Sequence, residues 1–501
     1  MCYLSVRLID DRRVIVVGSG PPGAAAALFL SRAGIPVLVL EAGTERSALG
    51  LTVRIRGLTV LRLRRPLKRS DAFTATADPN ALLFEDIAPG GLSNHWSCAV
   101  PRFSREDFAD AKRAGEMWEW PITYDDIAPW YDRVEPLLHI AGPSGEHAQL
   151  PAGKVRNARE LASDWRPIAA EAGSSGRTLV PMPYAYGAAT SVTLSGTIFN
   201  SFVRLIRPEL RSGRLAMRFN ARVERLELSP DGRRVGAVIV RDTRTGSESR
   251  VPCRAVVVAA GAIRTPEILL ASSSAEFPDG LGNQHGVLGH YLHDHPAAKV
   301  IVDLDGPISI HPSSYLTRPT LDRTLPLYAA ACMQWSGTEV LALSARSGRL
   351  GRLPWVGFSV FGTMAPSHDN WVSFDPARPN GDPRRLSLHL RYPPEAQVAL
   401  DRARDDLLDI LSRAGRGPRL RVWDVEPVGD AKHYGGTCRM HASPRFGLLD
   451  GFGRMHAVRN VAVADSAAFT TGPEKNPVLT AMALAARAGS RLAEDIKAGD
   501  L

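Results

Sequence analysis

The chain has 501 residues, 44% hydrophobic and 23% charged, enough to bury a core in two or more structural units and too apolar for disorder to be the default. A net charge of +9 raises the question of a polyanion partner. Arginine far outnumbers lysine, however, and the densest basic stretch, Arg54 to Arg69, alternates its charges with Val, Ile and Leu like a half-solvated element on a core, so no nucleic-acid partner is expected. The five cysteines form no C-x-x-C pair and indicate a reducing compartment.

Arg12-Arg13 stands before V-I-V-V-G-S-G-P-P-G-A-A-A-A-L-F-L, which superficially resembles an export signal or a short membrane span. Two prolines and three glycines interrupt the apolar run, which is shorter than the roughly 20 residues a bilayer needs. No membrane association is expected, and the chain reads as soluble and cytoplasmic. The same residues make better sense as strand, turn and helix. Val14 to Val17 is a β-branched run suited to a strand covered on both faces. Gly18, Gly20 and Gly23 complete G-x-G-x-x-G, Ala24 to Ala33 continues as an amphipathic helix, and Val37 to Leu40 forms a second strand ending at Glu41. Glycines at these positions let backbone approach a pyrophosphate at a helix N-terminus, and Glu41 can accept hydrogen bonds from ribose hydroxyls. An ordinary βαβ unit with a glycine-rich turn would leave Glu41 unexplained. The motif alone does not separate NAD from FAD.

Further along, G-L-S-N-H-W-S-C sets His95 between the hydroxyl residues Ser93 and Ser97 in a turn led by Gly91. Ala255 to Pro266 reads as another buried strand, with Gly261 in the turn that starts a helix. His290, His293, Asp294 and His295 have metal-ligand chemistry, but no helical H-x-x-x-H or cysteine accompanies them, and no metal is expected. The Pro- and Ser-rich stretch Gly306 to Pro326 reads as a mobile loop over the pocket. Leu386 to Tyr392 alternates with period two, as one face of an antiparallel sheet does, and Glu395 to Ala414 reads as a long amphipathic helix. His433 leads a Gly-Gly-Thr turn. Asn460 to Ser466 is a third buried strand with Asp465 at its carboxyl end, where open α/β sheets bind ligands, and N-P-V-L-T spans Asn476 to Thr480. A nucleotide unit assembled from the two ends and the middle of the chain suits a large, extended cofactor and favours FAD.

In their order, G-S-G-P-P-G with Glu41, G-G-L-S-N-H-W-S-C-A-V-P-R-F, W-P-I-T-Y-D-D-I-A-P-W-Y, G-A-I-R-T-P-E-I-L-L, L-H-D-H-P, H-Y-G-G-T-C-R-M and A-D-S…N-P-V-L-T resemble the glucose–methanol–choline (GMC) oxidoreductases, particularly their pyranose oxidase branch. The resemblance covers almost the whole chain. It implies an α/β fold: a Rossmann-like FAD-binding domain from residues 1–105, 200–296 and 430–501, with an inserted α+β substrate domain, an antiparallel sheet backed by helices, from residues 106–199 and 297–429. It implies that His433 is the catalytic base, with Asn476 as its partner, and that His95 carries the flavin covalently. Gly91, Ser93, Ser97, Val223 and Pro477 join Gly18, Gly20, Gly23, Glu41, Gly261 and Asp465 as cofactor-binding positions, Val223 through its backbone at adenine and Ser97 near flavin N5 or O4. One departure is Ala271-Ser272-Ser273-Ser274 where the family's second signature usually ends in Ser-Gly. Another is Lys432 beside the base, which can depress the pKa of His433, contact an acidic substrate or point into solvent.

The function so implied is FAD-dependent oxidation of a CH–OH group on a sugar, glycoside or aminoglycoside-type substrate, with O2 or another electron acceptor. Aromatic or aliphatic alcohols, including choline-like ones, are the alternative within the same chemistry. An NAD-dependent dehydrogenase and a flavin carrier without turnover are the readings from other classes.

Overall fold

The computed structural model describes residues 13–45, 51–55, 58–63, 67, 69–109, 111–147, 149–185, 199–310, 312–319, 327–335 and 351–501. A five-stranded sheet lies at its centre, in the order Val461–Val463, Ala255–Val258, Val14–Val17, Val37–Leu40, Ala216–Arg218, with every neighbouring pair parallel. The three innermost strands are buried at every position, which is why they read as unbroken apolar runs. The N-terminal helix is Pro21–Arg32, begun by two prolines whose missing N–H groups cost nothing in a first turn. It packs on the C-terminal helix Val478–Ala498 so closely that a Cβ on Gly489 would lie 3.1 Å from the Ala26 carbonyl oxygen. Small residues along both helices, Ala24 to Ala27 on one and Ala481, Ala485, Ala486 and Gly489 on the other, permit that approach.

A six-stranded antiparallel sheet stands apart, in the order Arg419–Val425, Ala297–Ser309, Arg352–Gly362, Ala330–Gln334, Ser314–Leu316, Leu179–Pro181. Alternation divides its side chains. Val300, Val302, Cys332, Phe358 and Val360 meet Leu400, Ala403, Leu407 and Ile410 of the helix Pro394–Arg413 and Ile168 of the helix Arg166–Ser174. Residues of the other parity, among them Lys299, Met333, Ser359 and Phe361, line the cavity described below. The long helix matches the expectation from the sequence.

The Gly306–Pro326 expectation needs correction. Residues 306–309 complete the strand Ala297–Ser309, and Ser314–Leu316 is a fully buried strand of the same sheet; residues 311 and 320–326 lie outside the described ones. Pro307 is tolerated because the pairing shifts register between Asp303 and Ile308. Leu386–His389 does alternate, but in a three-stranded sheet where it pairs antiparallel with Trp371–Phe374 and parallel with Thr74–Ala75. The basic stretch falls largely on the hairpin Leu51–Ile55 and Leu58–Leu63, whose side chains lie outside the description. Among the described residues no helix is long and apolar enough to cross a membrane, no group of residues is arranged to hold a metal, and the four described cysteines are free and buried.

An ion network buried in the interior links remote segments. Lys475, without exposed surface, lies 2.6 Å from Asp107 Oδ2 and 3.0 Å from Glu474 Oε1. Arg318 reaches Asp107 Oδ1 and Glu474 Oε2, each at 3.3 Å. Burial pushes the Asp107 carboxyl up, but Lys475 and Arg318 more than offset this and hold it below the ordinary carboxylate range. Removing one partner of such a cluster strands the opposite charges in a dry interior. Lys475→Met is therefore expected to destabilise the fold by about 3–5 kcal/mol, read as a lower denaturant midpoint. Arg105→Ala, which removes the exposed pair with Asp125, should leave that midpoint in place.

Candidate active site

One continuous cavity of about 640 Å³ runs from the glycine-rich turn to His433 and the open face of the six-stranded sheet. At its first end the glycines divide the work. Gly18 has φ +96°, and a Cβ there would lie 2.5 Å from the Ala259 carbonyl oxygen; a Cβ on Gly23 would strike the Gly18 carbonyl. These two keep the turn against its neighbours. Gly20 and Gly261 have nothing within 4 Å of a Cβ, so their bare backbone faces the cavity, Gly20 at the N-terminus of Pro21–Arg32 and Gly261 at that of the helix Gly261–Leu270. Glu41 lines the same space, its Oε2 accepting from Ser19 Oγ at 2.5 Å and its Oε1 from Gly43 N at 2.8 Å. Burial raises its pKa despite these bonds. Asp465 is held alike: Oδ2 accepts from Gly261 N (2.8 Å) and Thr265 Oγ1 (2.7 Å), Oδ1 from Ala467 N (2.8 Å), and burial raises its pKa. Val223 lines the cavity beside a β-bulge that begins immediately after it. An extended groove of exposed glycine backbone, two helix N-termini and two carboxylates fits a dinucleotide.

The His95 turn borders the middle of the cavity. Gly91–Asn94 is one turn of 3₁₀-helix, entered through Gly90 at φ +96° and closed by Ser93 Oγ donating to the Gly90 carbonyl at 2.6 Å. Gly90 N in turn donates to Ser19 Oγ at 3.0 Å, tying this turn to the glycine-rich one. His95 Nε2 lies 3.0 Å from Asp86 Oδ2. Gly91, Ser93, His95 and Ser97 all line the cavity.

His433 lies beyond them. Its backbone N–H donates to Asp294 Oδ1 at 2.7 Å, its Nδ1 is 3.0 Å from His295 Nδ1, and its Nε2 is 3.2 Å from Asn476 Nδ2. The Phe361 ring sits 5.4 Å away, centroid to centroid. Burial, then the charge of Lys432, lowers the His433 pKa to about 3, so the imidazole is neutral. Burial raises Asp294 to about 7. Lys432 pairs with Asp430 at 2.7 Å and lies over the Phe84 ring, which settles its place: it borders the cavity with its charge already matched. Pro477 caps the helix Val478–Ala498, so Asn476 stands at that helix's positive end with its Oδ1 buried and unpartnered.

The expected catalytic and cofactor-binding residues all line one cavity except Gly23, which packs against the Gly18 carbonyl. The structure adds Ser19, inside the glycine-rich motif but not singled out there, and three residues that lie in no motif: Asp86 and the pair Lys299–Glu426 at 2.8 Å. The histidine cluster divides instead of converging. His290 stacks on His368, His293 Nδ1 faces the Tyr291 carbonyl, and only His295 reaches His433.

Comparison with known proteins agrees with this geometry. Two models of the GMC oxidoreductase family match residues 105–297 and 366–485, together more than half of the chain, and an FAD binding domain model matches residues 11–83. The chain is 24% identical to a 2-methyl-1,2-propanediol dehydrogenase of Mycolicibacterium austroafricanum over 96% of its own length and 95% of that protein's. It is 27% identical to a paromamine 6'-oxidase of Streptomyces fradiae, covering 97% and 92%. A solved structure of a fungal aryl-alcohol oxidase superposes with a TM-score of 0.68 at 15% identity, covering 98% of this chain and all of that one. The chain belongs to the GMC oxidoreductase family and is an FAD-dependent alcohol oxidase or dehydrogenase.

Proposed function

We propose that the chain oxidises a hydroxyl of a sugar, glycoside or aminoglycoside-type substrate, with His433 as the base. The observation that carries this reading is the juxtaposition of a neutral imidazole and an amide at one end of the cavity, 3.2 Å apart. His433 Nε2 takes the hydroxyl proton, and Asn476 Nδ2 donates to the oxygen as negative charge develops on it. Bound FAD supplies the acceptor for the hydride.

The roof over His433 supports a polyhydroxylated substrate. Lys299, Ser359 and Met333 form one transverse row of the six-stranded sheet, and Glu426 joins it through Lys299. With Asp430–Lys432 also lining the cavity, these charges come in matched pairs, a lining that can satisfy many hydroxyls at once. The kinship with a paromamine 6'-oxidase points the same way. Phe361 against His433, and kinship with a propanediol dehydrogenase, favour a smaller aliphatic or aromatic alcohol as the second reading. Anaerobic mixing with sugars, glycosides, aminocyclitol glycosides and simple alcohols distinguishes the two by which class bleaches the flavin. Prompt return of colour in air identifies an oxidase.

His433→Ala is expected to slow that bleaching by about 10²–10⁴-fold, and an unchanged rate would remove His433 as the base. Because the neutral ring is the active form and its pKa is lowered to about 3, kcat/KM should stay level as pH falls through the ordinary imidazole range near 6.5. A His433-linked acid limb within that range would contradict the assignment.

His95 is proposed to hold the flavin covalently. Asp86 on Nε2 favours the proton there and makes the other ring nitrogen the nucleophilic one. Acid precipitation should then leave the yellow chromophore in the protein pellet, and in the supernatant for His95→Ala.

A further inference from the structure

Two histidines meet behind the reacting nitrogen, and their contact decides which nitrogen that is. His295 is buried, with its Nδ1 3.0 Å from Nδ1 of His433 and the rings crossing at 70°. Nitrogens at this distance form a bond only when one carries a hydrogen and the other a lone pair. A neutral imidazole has one of each, so assigning any one nitrogen assigns all four.

The surroundings make the assignment from both ends. The Pro473 carbonyl, which can only accept, favours a hydrogen on His295; with Nδ1 engaged by His433, the nitrogen left to carry it is Nε2. His295 Nδ1 is then an acceptor, His433 Nδ1 donates to it, and His433 Nε2 is left with its lone pair in the cavity. Starting from the other end, the Asn476 amide nitrogen, which can only donate, faces His433 Nε2 and calls for the same lone pair. The opposite arrangement sets lone pair against carbonyl at Pro473 and N–H against N–H at Asn476. Asp294 holds the two backbones in place by accepting from the N–H of both His295 and His433. Pro473 and Asn476 belong to one short segment, Pro473-Glu474-Lys475-Asn476, anchored by the buried ion network. One anchored segment therefore meets both ends of the histidine pair. Burial keeps both rings neutral, as the scheme requires.

We propose that His295 is a positioning residue that holds His433 in its Nδ1–H tautomer, so that Nε2 is the base. This rests on the reading of His433 as base. In the step itself the substrate O–H bond breaks, an Nε2–H bond forms, and the electron pair stays on the oxygen. The imidazolium keeps its Nδ1–H bond to His295, and no proton passes to His295.

The test uses the FAD-loaded enzyme with His295→Leu, which removes the acceptor, and His295→Gln, whose side-chain oxygen can replace it. His295→Leu should slow flavin bleaching at saturating alcohol on the order of a hundredfold, with His295→Gln restoring most of the rate. In histidine-¹⁵N-labelled enzyme, His433 should show a protonated Nδ1 and a bare Nε2 in the wild type, and both tautomers in His295→Leu. Wild-type bleaching by His295→Leu, equal losses in both variants, or a protonated Nε2 in the wild type would each overturn the proposal. If His433→Ala bleaches normally, the base assignment falls and this role with it. If His433→Ala is crippled while His295→Leu is not, only the role of His295 falls.

Discussion

A lysine with no exposed surface anchors the segment that leads to Asn476 and the His433 end of the cavity. Lys475 is held between Asp107 and Glu474, and Arg318 closes the ring of charge from the other side. Desolvating four charges is costly, and the arrangement is tolerable only because each has an opposite partner within hydrogen-bonding distance. Such a cluster adds little net stability over a well-packed apolar core, but it permits very few geometries. Asn476 follows Lys475 directly and Pro473 precedes Glu474, so the rigidity of the ion network passes to the amide and carbonyl nearest the histidine pair.

Backbone strain gathers around the same region. Of the described non-glycine residues with positive φ, Cys98 follows the His95 turn, Tyr291 leads into the Asp294-His295 segment, and Lys432 precedes His433. Left-handed backbone costs an ordinary residue about 1–3 kcal/mol and persists where the surroundings over-determine it. At Lys432 the surroundings are visible: the ammonium is held by Asp430 and the Phe84 ring, while the next N–H is held by Asp294. The turn aims the imidazole, and the cation it places nearby helps keep that imidazole unprotonated.

The two sheets contribute by different means. The parallel sheet is buried on both faces and delivers strand ends and helix N-termini, which suit an extended anionic cofactor. The antiparallel sheet is two-sided: one face builds a second apolar core, and the other roofs the cavity with paired charges and aromatic rings. Strand alternation thus lets a single sheet serve packing and recognition together.

Elements governed by local chemistry were legible in the sequence. The Val14–Val17 strand, the glycine-rich turn, the helix from Pro394 to Arg413 and the placing of Asp465 at a strand end follow from periodicity and from residues whose backbone allows little choice. The histidines at 290, 293 and 295 were visible as a cluster but not as three separate environments, because spacing cannot show that only His295 turns toward a residue 138 positions away. The strand at Ser314–Leu316 was hidden for a similar reason: Pro and Ser there are read as loop until long-range pairing buries them. Asp86, Lys299 and Glu426 lie in no motif, and Lys475 stood unremarked beside one. The sequence by itself determined the family, the cofactor and the identity of the proposed reacting pair, since these depend on short motifs with fixed backbone demands. Only the tertiary structure revealed the burial that lowers the His433 pKa, the contacts from which its tautomer is proposed and the paired charges that line the cavity, because distant segments supply all three.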